Sequence, residues 1–73
     1  MTEKDEKLQQ DDRMVLNPAE MLKSVAICAD TIKARNPWLQ ELVFPMTNGC
    51  IKVVSSDIRS IFIIYPNGSV EEQ

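Results

Sequence analysis

Histidine is absent from this chain, and with it the side chain that most often acts as a general base near neutral pH. Serines are present, but without an imidazole they lack the usual activating partner of a nucleophilic hydroxyl. Zinc would have to rely on two cysteines and carboxylates, a poor donor set for that metal. Glycine is also scarce. Gly49 and Gly68 both follow asparagine in turn sequences, which leaves none for a phosphate-cradling loop. The paired carboxylates Asp11-Asp12 and Glu71-Glu72 stand near the ends, where little shields them from water. These absences exclude the common catalytic constellations, and the expectation is a protein that is not an enzyme and takes no metal or cofactor.

Positive charge is in deficit. Eight Lys and Arg stand against eleven Asp and Glu, a net charge of −3, which argues against an electrostatic grip on DNA or an anionic membrane. No run approaches the roughly 18 apolar residues of a membrane span. The start, Met-Thr-Glu-Lys-Asp-Glu-Lys, lacks the apolar core of a signal peptide, so a cytoplasmic address is expected. In a reducing compartment Cys28 and Cys50 read as small buried hydrophobes rather than a disulfide. What remains is 73 residues, 44% hydrophobic and 26% charged, the composition of one small globular domain. A domain of this size buries only about 60% of its unfolded surface.

The clearest local signal runs from Asn17 to Arg35. Asn17 is a strong N-cap, Pro18 suits the first helical position, and Glu20 falls where a capping box would close. Leu16 and Met21 are placed for a hydrophobic staple. At 100° per residue, Met21, Leu22, Val25, Ala26, Cys28, Ala29 and Ile32 share one arc, with Lys23, Ser24, Asp30, Thr31 and Ala34 opposite. Ile27 projects from the polar side. Lys33 and Arg35 complement the negative end of the helix dipole, and Asn36-Pro37 ends the helix. The spacing predicts a helix over 18–35.

Residues 1–13 are nearly all polar and read as a disordered tail, ahead of a single domain over 14–73. Past the helix, Trp38 is expected to cap one end of the core. From Leu42 the pattern is β. Thr47-Asn48-Gly49-Cys50 and Pro66-Asn67-Gly68-Ser69 each centre Asn-Gly, the dipeptide that supplies the two positive φ values of a type I′ turn. Ser55-Ser56-Asp57 makes a further turn. Four antiparallel strands follow, over about 42–46, 50–55, 58–65 and 69–72. Pro45 places the first strand at an edge, and the short acidic last strand suits the other. The fold class is α+β, one long capped helix on a four-stranded antiparallel meander (α-β-β-β-β).

Two-residue turns assign the faces. Leu42, Phe44, Met46, Ile51, Val53, Ile58, Phe62 and Ile64 form the expected core beneath the helix. The opposite face carries Val43, Cys50, Val54, Ile61, Ile63, Tyr65 and Val70, edged by Lys52, Arg59 and Glu72. A sheet face in water should alternate apolar with polar residues. Ile61-Phe62-Ile63-Ile64-Tyr65 does not, and one helix covers one face. The surplus face calls for a protein partner or a second copy of the chain. The expected function is therefore a small regulatory protein-interaction module: a homodimer, a complex subunit or an inhibitor. Its interface would comprise Val54, Ile61, Ile63, Tyr65, Val70, Cys50, Val43, Arg59 and Lys52, with Ile27 as a second contact. The alternative is a single-strand nucleic-acid binder using Tyr65, Lys52 and Arg59, for which the overall charge is unfavourable.

Overall fold

A computed structural model of the chain describes residues 12–73. The expected tail therefore lies outside the described residues up to residue 11, and only its last two residues are seen. Helix α1 (Pro18–Arg35) is followed by strands β1 (Glu41–Pro45), β2 (Ile51–Ser55), β3 (Ile61–Ile64) and β4 (Val70–Glu72). The strands form one antiparallel sheet in the order β1-β2-β3-β4, an α+β fold.

The helix starts and stops where its caps place it. Asn17 Oδ1 accepts from the Glu20 amide at 3.2 Å, and the Asn36 amide donates to the Ile32 carbonyl at 3.1 Å. The reciprocal arm of the capping box is not used. The Asn17 amide donates instead to the Pro66 carbonyl, 2.8 Å away, so the helix start is tied to the β3–β4 turn. Leu16 stays largely exposed and no buried staple forms.

The buried stripe of α1 is rotated from the expected arc. Met21, Ser24, Cys28 and Ile32 are buried, whereas Leu22 and Ala26 are exposed. Ser24 tolerates burial because its hydroxyl donates to the Gly68 carbonyl. Met21, Cys28 and Ile32 meet Val53, Phe62 and Ile64 in the core, with Val25, Leu39 and Ile51 packed around them. Burial pushes the Cys28 thiol pKa up, as expected of a thiol that serves as a core residue. Leu39, not Trp38, closes the end of the core, and Trp38 is 87% exposed.

Both Asn-Gly turns differ from the expected type. Among the described residues Ile58 is the only non-glycine at positive φ, so Asn48 and Asn67 do not adopt the type I′ conformation. Each loop instead has three residues. Gly49 N donates to Met46 O, and Met46 N to Cys50 O; Gly68 N donates to Tyr65 O, and Tyr65 N to Ser69 O. This is a tight turn followed by a glycine at φ +90 or +94, the three-residue hairpin with a bulged glycine. Asn48 Oδ1 and Asn67 Oδ1 accept from the amides of Cys50 and Ser69, closing both loops in the same way.

One extra loop residue shifts each outer strand by one, and a one-residue shift exchanges faces. Val43 pairs with Val53 and Val70 with Ile64, so both point to the helix side rather than away from it. Glu72 pairs with Phe62 and does likewise. Leu42, Phe44 and Met46, expected in the core, lie on the far side, where Leu42 pairs with Val54 and Phe44 with Lys52. The β2–β3 register is displaced by two from expectation (Val53 pairs with Phe62, not Ser60), and a two-residue shift preserves faces. Ile58 is not in a strand or the core; it occupies the β2–β3 turn at φ +65 and is 69% exposed.

Candidate functional site

The helix lies over β2 and β3, which leaves the opposite sheet face to be satisfied by other means. On β2 that face carries Lys52 and Val54; on β3, Ile61 and Ile63, with Tyr65 just beyond. On β1 it carries Leu42 and Phe44, followed by Met46, and on β4 it ends in Glu71. Val54 and Cys50 are buried yet stand outside the helix-side core, so this face has a small buried row of its own. Around that row Leu42, Phe44 and Met46 are 37–49% exposed, and Ile61 and Ile63 are half-buried. An apolar surface thus crosses three strands with one cation, Lys52, inside it and one carboxylate, Glu71, at its border.

Of the interface residues expected from sequence, the fold brings together Val54, Ile61, Ile63, Tyr65, Cys50 and Lys52. Val43 and Val70 leave the face through the register shift. Arg59 sits in the β2–β3 turn, at the opposite end of β3 from Tyr65. Ile27 is exposed on the outer side of α1, across the molecule, where its carbonyl accepts from Thr31 Oγ1. Leu42, Phe44 and Met46 are the members that the sequence reading missed. Pro66 before Asn67-Gly68 is the signal for one three-residue loop, since proline favours the first central position of a type I turn; β1 carries no comparable mark.

One end of the face is held by a polar cluster. The Arg13 guanidinium lies over the Tyr65 ring, 4.9 Å from its centroid, and the Tyr65 hydroxyl donates to Glu71 at 3.0 Å. That bond to a carboxylate, with some desolvation, pushes the Tyr65 phenol pKa above its ordinary value. The Arg13 carbonyl accepts from the Asn67 amide, so residues 13–17 are fastened to the β3–β4 turn at both ends.

On the helix side the polar groups are structural. Arg35 makes a two-point pair with Glu72, at 2.7 and 3.0 Å, donates to Ser60 Oγ, and lies over the Phe62 ring. The guanidinium holds the Glu72 carboxyl below the usual carboxylate range. The buried Ser55 hydroxyl accepts from the Ser60 amide and donates to Asp57, which lowers the Asp57 pKa. Among the described residues, no three of the Cys, Asp and Glu side chains stand together to hold a metal ion, and no helix is long and apolar enough to cross a membrane. Comparison with family models, curated proteins and solved structures finds no match to this chain.

Proposed function

We infer that this chain is a small, non-catalytic protein-interaction module that works through the sheet face opposite its helix. The observation that carries the reading is the half-exposed belt of Leu42, Phe44, Met46, Ile61 and Ile63 around the buried pair Val54 and Cys50. Contiguous apolar surface of this kind is a usual mark of an interaction site on a small soluble domain. Its composition suits a protein partner, because aromatic, Met and aliphatic side chains dominate interface centres while charges gather at the rim. A regulatory subunit or an inhibitor is the role such a surface serves without chemistry of its own, and the cytoplasm is the compartment in which two free cysteines stay reduced.

The nucleic-acid reading has less to rest on. Arg13 already lies over one side of the Tyr65 ring, and Arg59 lies at the far end of β3, so only Lys52 of the two expected cations shares this face with Tyr65.

The test is a photo-crosslinking residue placed at position 63, with the same residue at position 22 on the exposed helix surface as control. Expressed in its own host, the position-63 chain is expected to yield defined protein adducts and the position-22 chain none. Adducts from neither position, or the same adducts from both, would overturn the reading.

A further inference from the structure

Strand β1 has a free outer edge whose backbone and side chains match those of a second β1. Met46 N bonds to Cys50 O across the β1–β2 hairpin. By antiparallel alternation Leu42 and Phe44 also direct their amides to β2, and the amides of Glu41 and Val43 point off the sheet. No described residue pairs with those outward groups. Leu42, Val43 and Phe44 are 42–49% exposed, and the only residues of the strand that deter pairing, Glu41 and Pro45, stand at its two ends. The opposite edge is guarded. Strand β4 has three residues, two of them glutamates, and pairing it with its own copy would bring like charges together.

We propose that two copies of this chain join edge to edge through β1, antiparallel about a two-fold axis at Val43, into one eight-stranded sheet. Among axes through a residue whose amide points off the sheet, charge and backbone chemistry select Val43. Centring the axis on Glu41 would oppose two carboxylates, and centring it on Pro45 would oppose two residues that lack an N–H. Centred on Val43, each Val43 amide donates to the partner strand's Val43 carbonyl, and each Glu41 amide to the Pro45 carbonyl across the axis. Phe44 then falls beside Leu42 of the other copy, an aromatic–aliphatic cross-strand pair. Glu41 meets only Pro45, and its charge is already answered by Lys33, 4.0 Å away on its own helix. Joining the edges makes the two far faces continuous through Leu42 and Phe44. The edge contact does not depend on what, if anything, docks on those faces.

The experiment follows the mass of the full chain in solution across a wide dilution series, with three variants. The wild type is expected to rise from 8.3 kDa toward twice that mass. Val43→Lys opposes two ammonium groups at the axis and should stay at the mass of one chain with an unchanged circular dichroism spectrum. Val43→Cys should form a disulfide-linked dimer on mild oxidation, because directly opposed hydrogen-bonded residues have Cα atoms about 5.5 Å apart, within disulfide reach. Ile58→Cys, more exposed but in a turn, should not. Val43→Cys reports on the contact even if Val43→Lys fails to fold. A wild type at the mass of one chain at every concentration, or Val43→Cys linking no faster than Ile58→Cys, would overturn the proposal. So would a dimer that Ile63→Asp dissolves and Val43→Lys leaves intact, a pattern that supports association through the face instead. A dimer that survives Ile63→Asp and is lost with Val43→Lys supports the edge.

Discussion

A methyl group on Gly68 would stand 2.6 Å from the Cβ of Glu20, closer than real Cβ contacts come. The Gly68 carbonyl also accepts from Ser24 on the same helix, so this turn is seated directly on α1. Gly49 occupies the equivalent position of the other hairpin at nearly the same φ, but its nearest neighbour there is Pro66 Cγ at 3.7 Å. The pair separates backbone strain from close approach. Gly49→Ala should cost about 1–2 kcal/mol for a left-handed alanine. Gly68→Ala should carry that cost plus the forced separation from the helix, typically about 1–3 kcal/mol for an overpacked site. Urea unfolding midpoints of the two variants check the ranking, and equal losses would show that the Gly68 contact contributes nothing.

The helix was legible because its signals are local: a cap, a proline, an arc and a stop, all read within one segment. Faces of β2 and β3 were legible for a different reason. The error in their register was two residues, and side-chain alternation has a period of two. The outer strands failed through loop length alone, since Asn-Gly fits a two-residue turn and also the end of a three-residue one. Val43 and Phe44 exchanged sides on that single residue. Ser24 and Trp38 were misplaced because each reports on tertiary contacts, one a carbonyl from a distant turn and the other a competing leucine.

Two substitutions, one at the N-cap of α1 and one within it, should differ in kind. Asn17→Ala removes one cap bond and should cost about 1 kcal/mol. Ile32 is fully buried, and Ile32→Ala opens a cavity in the core for about 2–5 kcal/mol. Chemical denaturation of both variants should give that order. The reverse order would mean that the helix turns a different side to the sheet.

Acid should weaken the molecule through Glu72 and Asp57. Both carboxyls have folded pKa values below their ordinary ones, Glu72 through Arg35 and Asp57 through Ser55. A depressed carboxylate pKa stabilises the fold above the unfolded value, roughly 4.3 for Glu and 3.9 for Asp. That contribution is lost as pH falls through the lower folded value. Thermal midpoints should therefore drop as pH is taken from neutral to below about 4. Glu72→Gln should start lower at neutral pH and fall less steeply, and an unaltered acid slope would show that the Arg35 pair does not couple to folding.

Tyr65 offers an optical check on the far face, since it is the sole tyrosine. Its phenol should ionise above the ordinary value of about 10, because its hydroxyl donates to Glu71. Glu71→Gln removes the carboxylate and should bring the ultraviolet titration midpoint down. A midpoint that does not move would place the Tyr65 hydroxyl in water.

Phe44 and Ile63 decide whether the far face is a working surface. They stand on either side of Lys52, on β1 and β3, and neither joins the helix-side core. Phe44→Asp and Ile63→Asp should therefore leave the circular dichroism spectrum in place, with a modest loss of stability for the half-buried Ile63. Each should abolish the adducts formed by a crosslinking residue at position 61, because either change removes a large apolar side chain from the face and leaves a carboxylate that must be desolvated, even beside Lys52. Leu22→Asp, on the exposed side of α1, should leave those adducts untouched. Adducts that persist in both face variants would mean that binding does not use the surface that β1 and β3 share.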